Sequence, residues 1–321
     1  MKVLFTADIH IKLGQKNVPV EWAKNRYKLL FSDLAALSHQ CDLTILGGDI
    51  FDRVPTVEEL EVYFELVSHI NSECIIYSGN HEALKRDTTF LSYLSKVTSK
   101  VNNKVRIIDD FYTYKDIDFI PYNKLKEYHP ADIDFHSRTL CTHVRGEIPP
   151  HVKAEVNLDI FNRWDIVLAG DLHSYDNCQR NILYPGSPIT TSFHRNTVST
   201  GVILYDTETL AHDWIELELP QLIRKTIRAG EEAVATSYHH TIYDVEGDMA
   251  ELSELADNDL VDKKVSKRDT DVALILDTGM SIQEEVTEYL TYILQLSGDS
   301  LTNALKELSN HTEALNSLQS S

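Results

Sequence analysis

The chain has 321 residues, 42% of them apolar and 25% charged, enough to bury one large core or two smaller ones and unlike a disordered or fibrous sequence. Lysine and arginine total 30 against 50 aspartates and glutamates, a formal charge of −20. Such a field repels phosphate and excludes a simple polybasic binder of nucleic acid or anionic lipid; handling nucleic acid would require metal ions, a local basic groove or a partner.

No run approaches the ~18 consecutive apolar residues of a membrane span. The N-terminus, Met-Lys-Val-Leu-Phe-Thr-Ala-Asp-Ile-His, places Asp8 and His10 where a signal peptide needs its apolar core. A cytoplasmic protein without a membrane partner is expected. Cys41, Cys74, Cys141 and Cys178 form no Cys-x-x-Cys pair and are expected to be reduced and packed.

Taken in chain order, short apolar runs alternate with helical patterns. Val3-Leu4-Phe5-Thr6 predicts a strand, and an apolar stripe through Trp22, Tyr27, Leu30 and Leu34 predicts a helix over 22–37. Leu43-Thr44-Ile45-Leu46 is the next strand, residues 57–70 the next helix, and Cys74-Ile75-Ile76-Tyr77 the third strand. Thr139-Leu140-Cys141 and Ile166-Val167-Leu168-Ala169 read as two more buried strands. Alternation of this kind predicts a layered α/β fold, in which ligands gather at the carboxyl ends of the strands.

From residue 217 the texture changes. The last 105 residues carry 8 basic and 20 acidic side chains. Strands are expected over 222–228 and 272–276, a helix over 248–256, and a helix, a turn at Ser297-Gly298-Asp299-Ser300 and a second helix over 281–318. The expected division is a core over 1–216, a small α+β cap over 217–280 and a helical segment over 281–321.

The chemistry-bearing residues sit at the strand ends. They are Asp8-x-His10, Gly48-Asp49-x-x-Asp52, Gly79-Asn80-His81-Glu82, His143, and Gly170-Asp171-x-His173. Carboxylate, imidazole and amide oxygen together suit borderline-hard divalent ions, and the absence of cysteine among them argues against a structural zinc site. Aspartates on separate strands can bridge two ions, the arrangement by which phosphatases and nucleases activate water and neutralise a phosphoryl group. Each motif alone is weak; five in this order carry the signal.

The constellation resembles the calcineurin-like metallophosphoesterase superfamily over roughly residues 1–175. Within it the chain is similar to the SbcD family of DNA repair nucleases, including phage versions. Thr6-Ala7-Asp8-Ile9-His10, Gly47-Gly48-Asp49-Ile50-Phe51-Asp52, Tyr184-Pro185-Gly186-Ser187-Pro188 and the small C-terminal domain carry that likeness. The resemblance implies a layered β-sandwich flanked by helices, with a capping domain and terminal helices that dock on a coiled-coil, SbcC-like ATPase. It implies a nuclease acting on double- and single-stranded DNA, as a 3′–5′ exonuclease and single-strand endonuclease, in recombination, repair and replication, and often as a homodimer.

Carried over by position, Asp8, His10, Asp49 and His173 would hold one ion. Asp49, Asn80, His143 and Asp171 would hold the second, with Asp49 shared; Mn²⁺ is expected, with Mg²⁺ as substitute. His81 would be the general acid or phosphate-orienting group, and Asp52 would position His81 or the substrate. The relatives' Gly-His-x-His stands here as Gly170-Asp171-Leu172-His173. An ionised Asp171 leaves the loaded centre one positive charge poorer, which predicts a harder site that tolerates Mg²⁺ better and uses Zn²⁺ less. Arg145 and Arg195 flank the ligand motifs and are candidate phosphate contacts. Lys263, Lys264, Lys267 and Arg268 form the one basic cluster of the acidic C-terminal third and are candidates for the DNA backbone. His239, His240 and His311 are expected at the surface. A phosphatase of small molecules or proteins on the same scaffold, and a catalytically silent scaffold that binds DNA ends, are the competing readings.

Overall fold

The computed structural model describes residues 1–85, 88–131, 133, 135–247, 252, 260–265, 281–294, 296, 298 and 300–306. Among them, in chain order, lie β1 (Lys2–Thr6), α1 (Val20–Ser38), β2 (Leu43–Gly47), α2 (Val57–His69), β3 (Glu73–Tyr77), β4 (Ala83–Lys85), β5 (Thr88–Thr89), α3 (Phe90–Val101), β6 (Val105–Ile108), β7 (Tyr112–Tyr114) and β8 (Ile117–Ile120). There follow α4 (Tyr122–Leu125), β9 (Thr139–His143), β10 (Ile166–Gly170), β11 (Ile182–Leu183), β12 (Gly201–Asp206), β13 (His212–Glu216), β14 (Leu222–Arg228), β15 (His240–Gly247), β16 (Val261–Val265) and α5 (Ile282–Glu288).

The period-two alternation of side chains along the strands sets the layers. Val3 and Phe5 of β1 face one way, with Leu43 and Ile45 of β2 and Ile75 and Tyr77 of β3; they meet Ile117, Phe119, Cys141 and Leu168 of a second sheet. Leu4, Leu46 and Ile76 face the other way, onto Tyr27, Leu30, Phe31 and Leu34 of α1 and Val62, Tyr63 and Leu66 of α2. The far face of the second sheet is covered by Tyr128, Phe135, Phe161 and Trp164. The layers are therefore helices, a six-stranded sheet of order β13-β12-β1-β2-β3-β6, a five-stranded sheet of order β11-β10-β9-β8-β7, and an aromatic-rich cover. β1, β2, β3 and β6 run parallel, as do β8, β9, β10 and β11, which brings the carboxyl ends of β1, β2, β3, β9 and β10 to one edge.

α1 and α2 agree with the helices read over 22–37 and 57–70. α2 starts at a capping box: the Glu59 amide donates to Thr56 Oγ1 at 3.3 Å and the Thr56 amide donates to Glu59 Oε2 at 2.8 Å. The strand read over 222–228 is β14, paired in parallel with β15, with β16 beyond. The helix read over 248–256, Leu252 aside, and the strand over 272–276 lie outside the described residues. His240, expected at the surface, is buried: β14–β15 pairing sets it opposite Leu222, and its ring lies against Trp22 and Phe193 while Nε2 meets the Asn17 carbonyl. His311 is outside the described residues.

By contacts the chain forms two units, Met1–Glu246 with Leu255–Lys263, and Gly247–Glu254 with Lys264–Ser321. In the second, Ser281 and Glu284 form a capping box that opens α5, which runs into one π-helical turn at Tyr289–Ile293; residues 300–306 are helical. Among the described residues no helix is long and apolar enough to cross a membrane.

Candidate metal centre

Three strand-to-loop transitions build the floor. The loops after β1 and β2 are laced together, with Asp8 N donating to Gly48 O at 3.0 Å, His10 N to Asp49 O at 2.9 Å and Ile11 N to Ile50 O at 2.7 Å. This lacing turns the backbone left-handed at Asp8 (φ 57°), His10 (48°), Gly48 (89°) and Asp49 (51°). Gly79 is required by space: a Cβ there would stand 2.1 Å from Asp49 Oδ1.

The side chains converge above that floor. His10 Nε2 and His173 Nε2 are 3.2 Å apart, and Asp49 Oδ2 lies 3.6 Å from His10 Nε2 and 3.5 Å from His143 Nε2. His173 Nε2 is 3.9 Å from Asp8 Oδ1, and His143 Nε2 is 3.0 Å from Asn80 Oδ1. Among the described residues, three overlapping groups could each hold an ion: Asp8, His10 and His173; Asp8, Asp49 and His143; and His10, Asp49 and His81. Asp49 stands between the His10–His173 pair and the His143–Asn80 pair, the place expected for a shared ligand. Asp8, His10, Asp49 and His143 are buried, so their donor atoms face one another and not bulk water.

The electrostatics of this cluster ask for cations. Burial raises Asp8 well above the usual carboxylate range, and the neighbouring Asp49 and Asp171 push the same way. Burial opposes ionisation of Asp49 as well, but His143 and His10 hold it below that range. Burial drags His10 down to about 3, leaving a neutral ring with a free lone pair. His143 is also penalised by burial, but Asp49, Asp8 and Asp171 outweigh that and push it up to about 10. Its Nδ1 lies 2.9 Å from the Gly47 carbonyl, which fixes the proton on that nitrogen and turns Nε2 inward as a ligand atom. Without a cation the cluster keeps protons on Asp8 and His143; a divalent ion would displace them, and the carboxylate oxygens and imidazole nitrogens so freed form a donor set that fits such an ion.

His81 sits at the rim. Its Nδ1 is 2.6 Å from the main-chain carbonyl of Asp52, and its Nε2 points inward, 3.9 Å from Asp49 Oδ2. The Asp52 carboxylate, expected to act on His81 or the substrate, is instead taken up by Lys12 at 2.8 Å, and the carbonyl makes the contact. Asp171 lies beside the centre, 3.9 Å from His143 Nε2, with both oxygens engaged by Arg145 at 3.1 and 3.3 Å. That pair restores the positive charge which aspartate in place of histidine removes. Arg195 is exposed, Lys263 and Lys264 lie on β16, and Lys267 and Arg268 are outside the described residues.

Three supporting residues had no role assigned from the sequence. Glu82, fully buried, accepts from the amides of Asp49 at 2.9 Å, Phe51 at 3.0 Å and Gly79 at 2.7 Å, tying two ligand loops together. Burial and Asp49 raise it to about 7. Ser187 Oγ donates to the Asp8 carbonyl at 2.6 Å, and Thr191 Oγ1 lies 3.3 Å from His173 Nδ1. Glu82, next to the Asn80-His81 pair, and Ser187, in the Tyr184–Pro188 segment, stood inside quoted motifs; Thr191 left no signal in the chain. Glu82→Leu is expected to lower stability by several kcal/mol, since each of three buried amides left without an acceptor costs about 1–3 kcal/mol. Denaturant unfolding measures this, and a loss under about 1 kcal/mol would show the loops hold without Glu82.

Residues 1–175 match the family described as Calcineurin-like phosphoesterase. The chain is 42% identical to "Probable exonuclease subunit 1" of Escherichia phage T5, over 98% of this chain and 100% of that one. It is 23% identical to "Putative phosphoesterase 244L" of Invertebrate iridescent virus 6, over 60% of this chain and 71% of that one. Among solved structures an archaeal phosphodiesterase aligns over 68% of this chain and all of its own, at 14% identity and a TM-score of 0.39. With more than half its length matched, and with the strand-end residues of the five motifs gathered at one edge, the chain belongs to the calcineurin-like phosphoesterase family.

Proposed function

We propose that the protein is the nuclease subunit of a phage-encoded DNA-processing complex, hydrolysing phosphodiester bonds with two divalent ions held by Asp8, His10, Asp49 and His173 and by Asp49, Asn80, His143 and Asp171. The observation that carries this is Asp49 Oδ2, set 3.6 Å and 3.5 Å from two histidines of separate donor groups. The kinship to an exonuclease subunit supports DNA as substrate and a partner chain. Such ions would supply Lewis acidity for the phosphoryl oxygens and a nucleophile at neutral pH.

The chain's own residues do the rest. The Asp52 carbonyl fixes the His81 ring so that Nε2 faces the ligand cluster, placed to give a proton to the leaving sugar oxygen. Arg145, bound to Asp171 and half-exposed, stands where it can also meet a non-bridging oxygen of the substrate. Glu82 keeps the Asp49 and Gly79 loops in register, so the shared ligand does not drift. The formal charge of −20 disfavours binding of free DNA, which supports an SbcC-like ATPase as the partner that delivers it. We assign residues 217–280 as the cap and 281–321 as the docking segment. Exonuclease and single-strand endonuclease action in recombination, repair and replication follows from the same reading.

Side-by-side assays with Mn²⁺ on linear DNA and on an aryl phosphate monoester test the assignment. Cleavage of DNA with little monoester turnover is expected; the reverse makes the protein a phosphatase on this scaffold. Manganese is the proposed ion, with magnesium tolerated. Rates across Mn²⁺, Mg²⁺ and Zn²⁺ should shift toward Zn²⁺ in Asp171→His, because imidazole is the softer ligand. An identical metal profile in the variant removes Asp171 from the ligand set.

A further inference from the structure

A groove of about 680 Å³ opens at His173, within the first unit. It is formed by the loop after His173, the segment from Ser187 to His194, and β13. Two aromatic rings line it: Tyr175 lies against Trp214 with centroids 5.3 Å apart and planes within 24°, and both are half-buried. Trp214 Nε1 donates to the Pro185 carbonyl at 2.9 Å, which fixes the indole plane. Much of the remaining wall is hydroxyl-bearing, with Thr191 and Ser192 prominent. Among the described residues the wall carries one carboxylate, Asp176, and no lysine or arginine.

We propose that this groove seats an unpaired base of the strand being cut, held by the aromatic pair and the hydroxyls beside the ligand cluster. The inference rests on the DNA reading above. The phosphate of a nucleotide is recognised by ions or cations; here those gather at the edge where His173 joins the ligand cluster, and away from it the wall carries His194 but no lysine or arginine. Its aromatic pair and hydroxyls suit the other part of a nucleotide, a flat ring with polar edges. The volume falls in the range of pockets that enclose small ligands. A base can enter such a groove only when unstacked and unpaired. Thr191 couples the two sites: it lines the groove while its hydroxyl contacts the ring of His173, so a base held here sets the adjoining phosphate against the ligand cluster.

The test uses the full chain with Mn²⁺ and two single-stranded oligonucleotides of equal length, one with bases and one with abasic sugars throughout. Wild type is expected to show a KM about tenfold higher for the abasic strand, the order that base–aromatic stacking supplies. Tyr175→Ala and Trp214→Ala should raise KM for the base-bearing strand by a similar factor and remove the difference between the strands, with kcat near wild type. Trp214→Phe should retain most of the difference. Equal KM values for both strands in wild type overturn the proposal, as does a difference that persists unchanged in Tyr175→Ala. Cleavage of neither strand by wild type, with the delivering ATPase present as well as without it, sinks the DNA reading itself. In that case tryptophan emission still decides the groove. Quenching by the base-bearing strand alone, lost in Trp214→Phe, supports it, and equal quenching by both strands, or none, overturns it.

Discussion

Asp49→Asn is expected to lower Mn²⁺-dependent DNA cleavage by at least about 10²–10³, the range for losing one charge-stabilising group, and by more because both donor groups lose a ligand. The substituted amide oxygen can keep the acceptor that Asp49 Oδ1 offers to the His81 amide at 3.0 Å. Asparagine also tolerates the left-handed backbone at this position, where φ is 51°. The fold should therefore survive, as circular dichroism would show, while the cluster loses the negative oxygen between His10 and His143. Calorimetric titration with Mn²⁺ should show fewer or weaker sites than in wild type. Wild-type stoichiometry together with a wild-type rate would remove Asp49 from its shared position and the two-ion reading with it.

His81→Asn carries the second large effect. Loss of a positioned acid lowers kcat by about 10²–10⁴. Ion binding should be little changed, because His81 stands at the rim with 37% of its side chain exposed, while His10, Asp49 and His143 are interior. The two measurements separate its roles. A fall in kcat with unaltered Mn²⁺ titration makes His81 the proton donor. A parallel loss of ion affinity makes it a ligand, as its grouping with His10 and Asp49 within 4.8 Å would also allow.

The parts of this site that were legible in the chain are those written locally. A buried β-branched run that stops at glycine and aspartate declares both a strand and the loop beyond it. Asp8, Asp49, Asn80, His143 and Asp171 could thus be placed at strand ends before any geometry was known. The parallel order of the strands then brings those ends to one edge. The parts that were illegible depend on contacts distant in sequence. Arg145 reaches Asp171 across 26 residues, Thr191 reaches His173 across 18, and Trp22 covers His240 across 218. No periodicity records such pairings. Glu82 is instructive for the opposite reason: it is adjacent to the motif, yet its three amide partners come from two loops, so its task was invisible until those loops were seen together. The Asp52 carbonyl contact with His81 was hidden because sequence reasoning attends to side chains.

Four of the residues that face the centre, Asp8, His10, Asp49 and Asp171, hold backbone angles that side-chain-bearing residues avoid, with φ of 57°, 48°, 51° and 98°. Conformations of this kind cost on the order of 1–2 kcal/mol apiece. The polypeptide thus arrives at its folded state with tension concentrated where carboxylates also crowd each other. Filling the pocket relieves the crowding of carboxylates, and its binding free energy offsets the cost of those angles, so the thermal midpoint becomes a gauge of ion supply. At a hundred times the dissociation constant a single bound ion adds about 2.7 kcal/mol, or roughly 4 °C for a chain of 321 residues. Chelation should lower the midpoint by that amount, and Asp49→Asn should blunt the response.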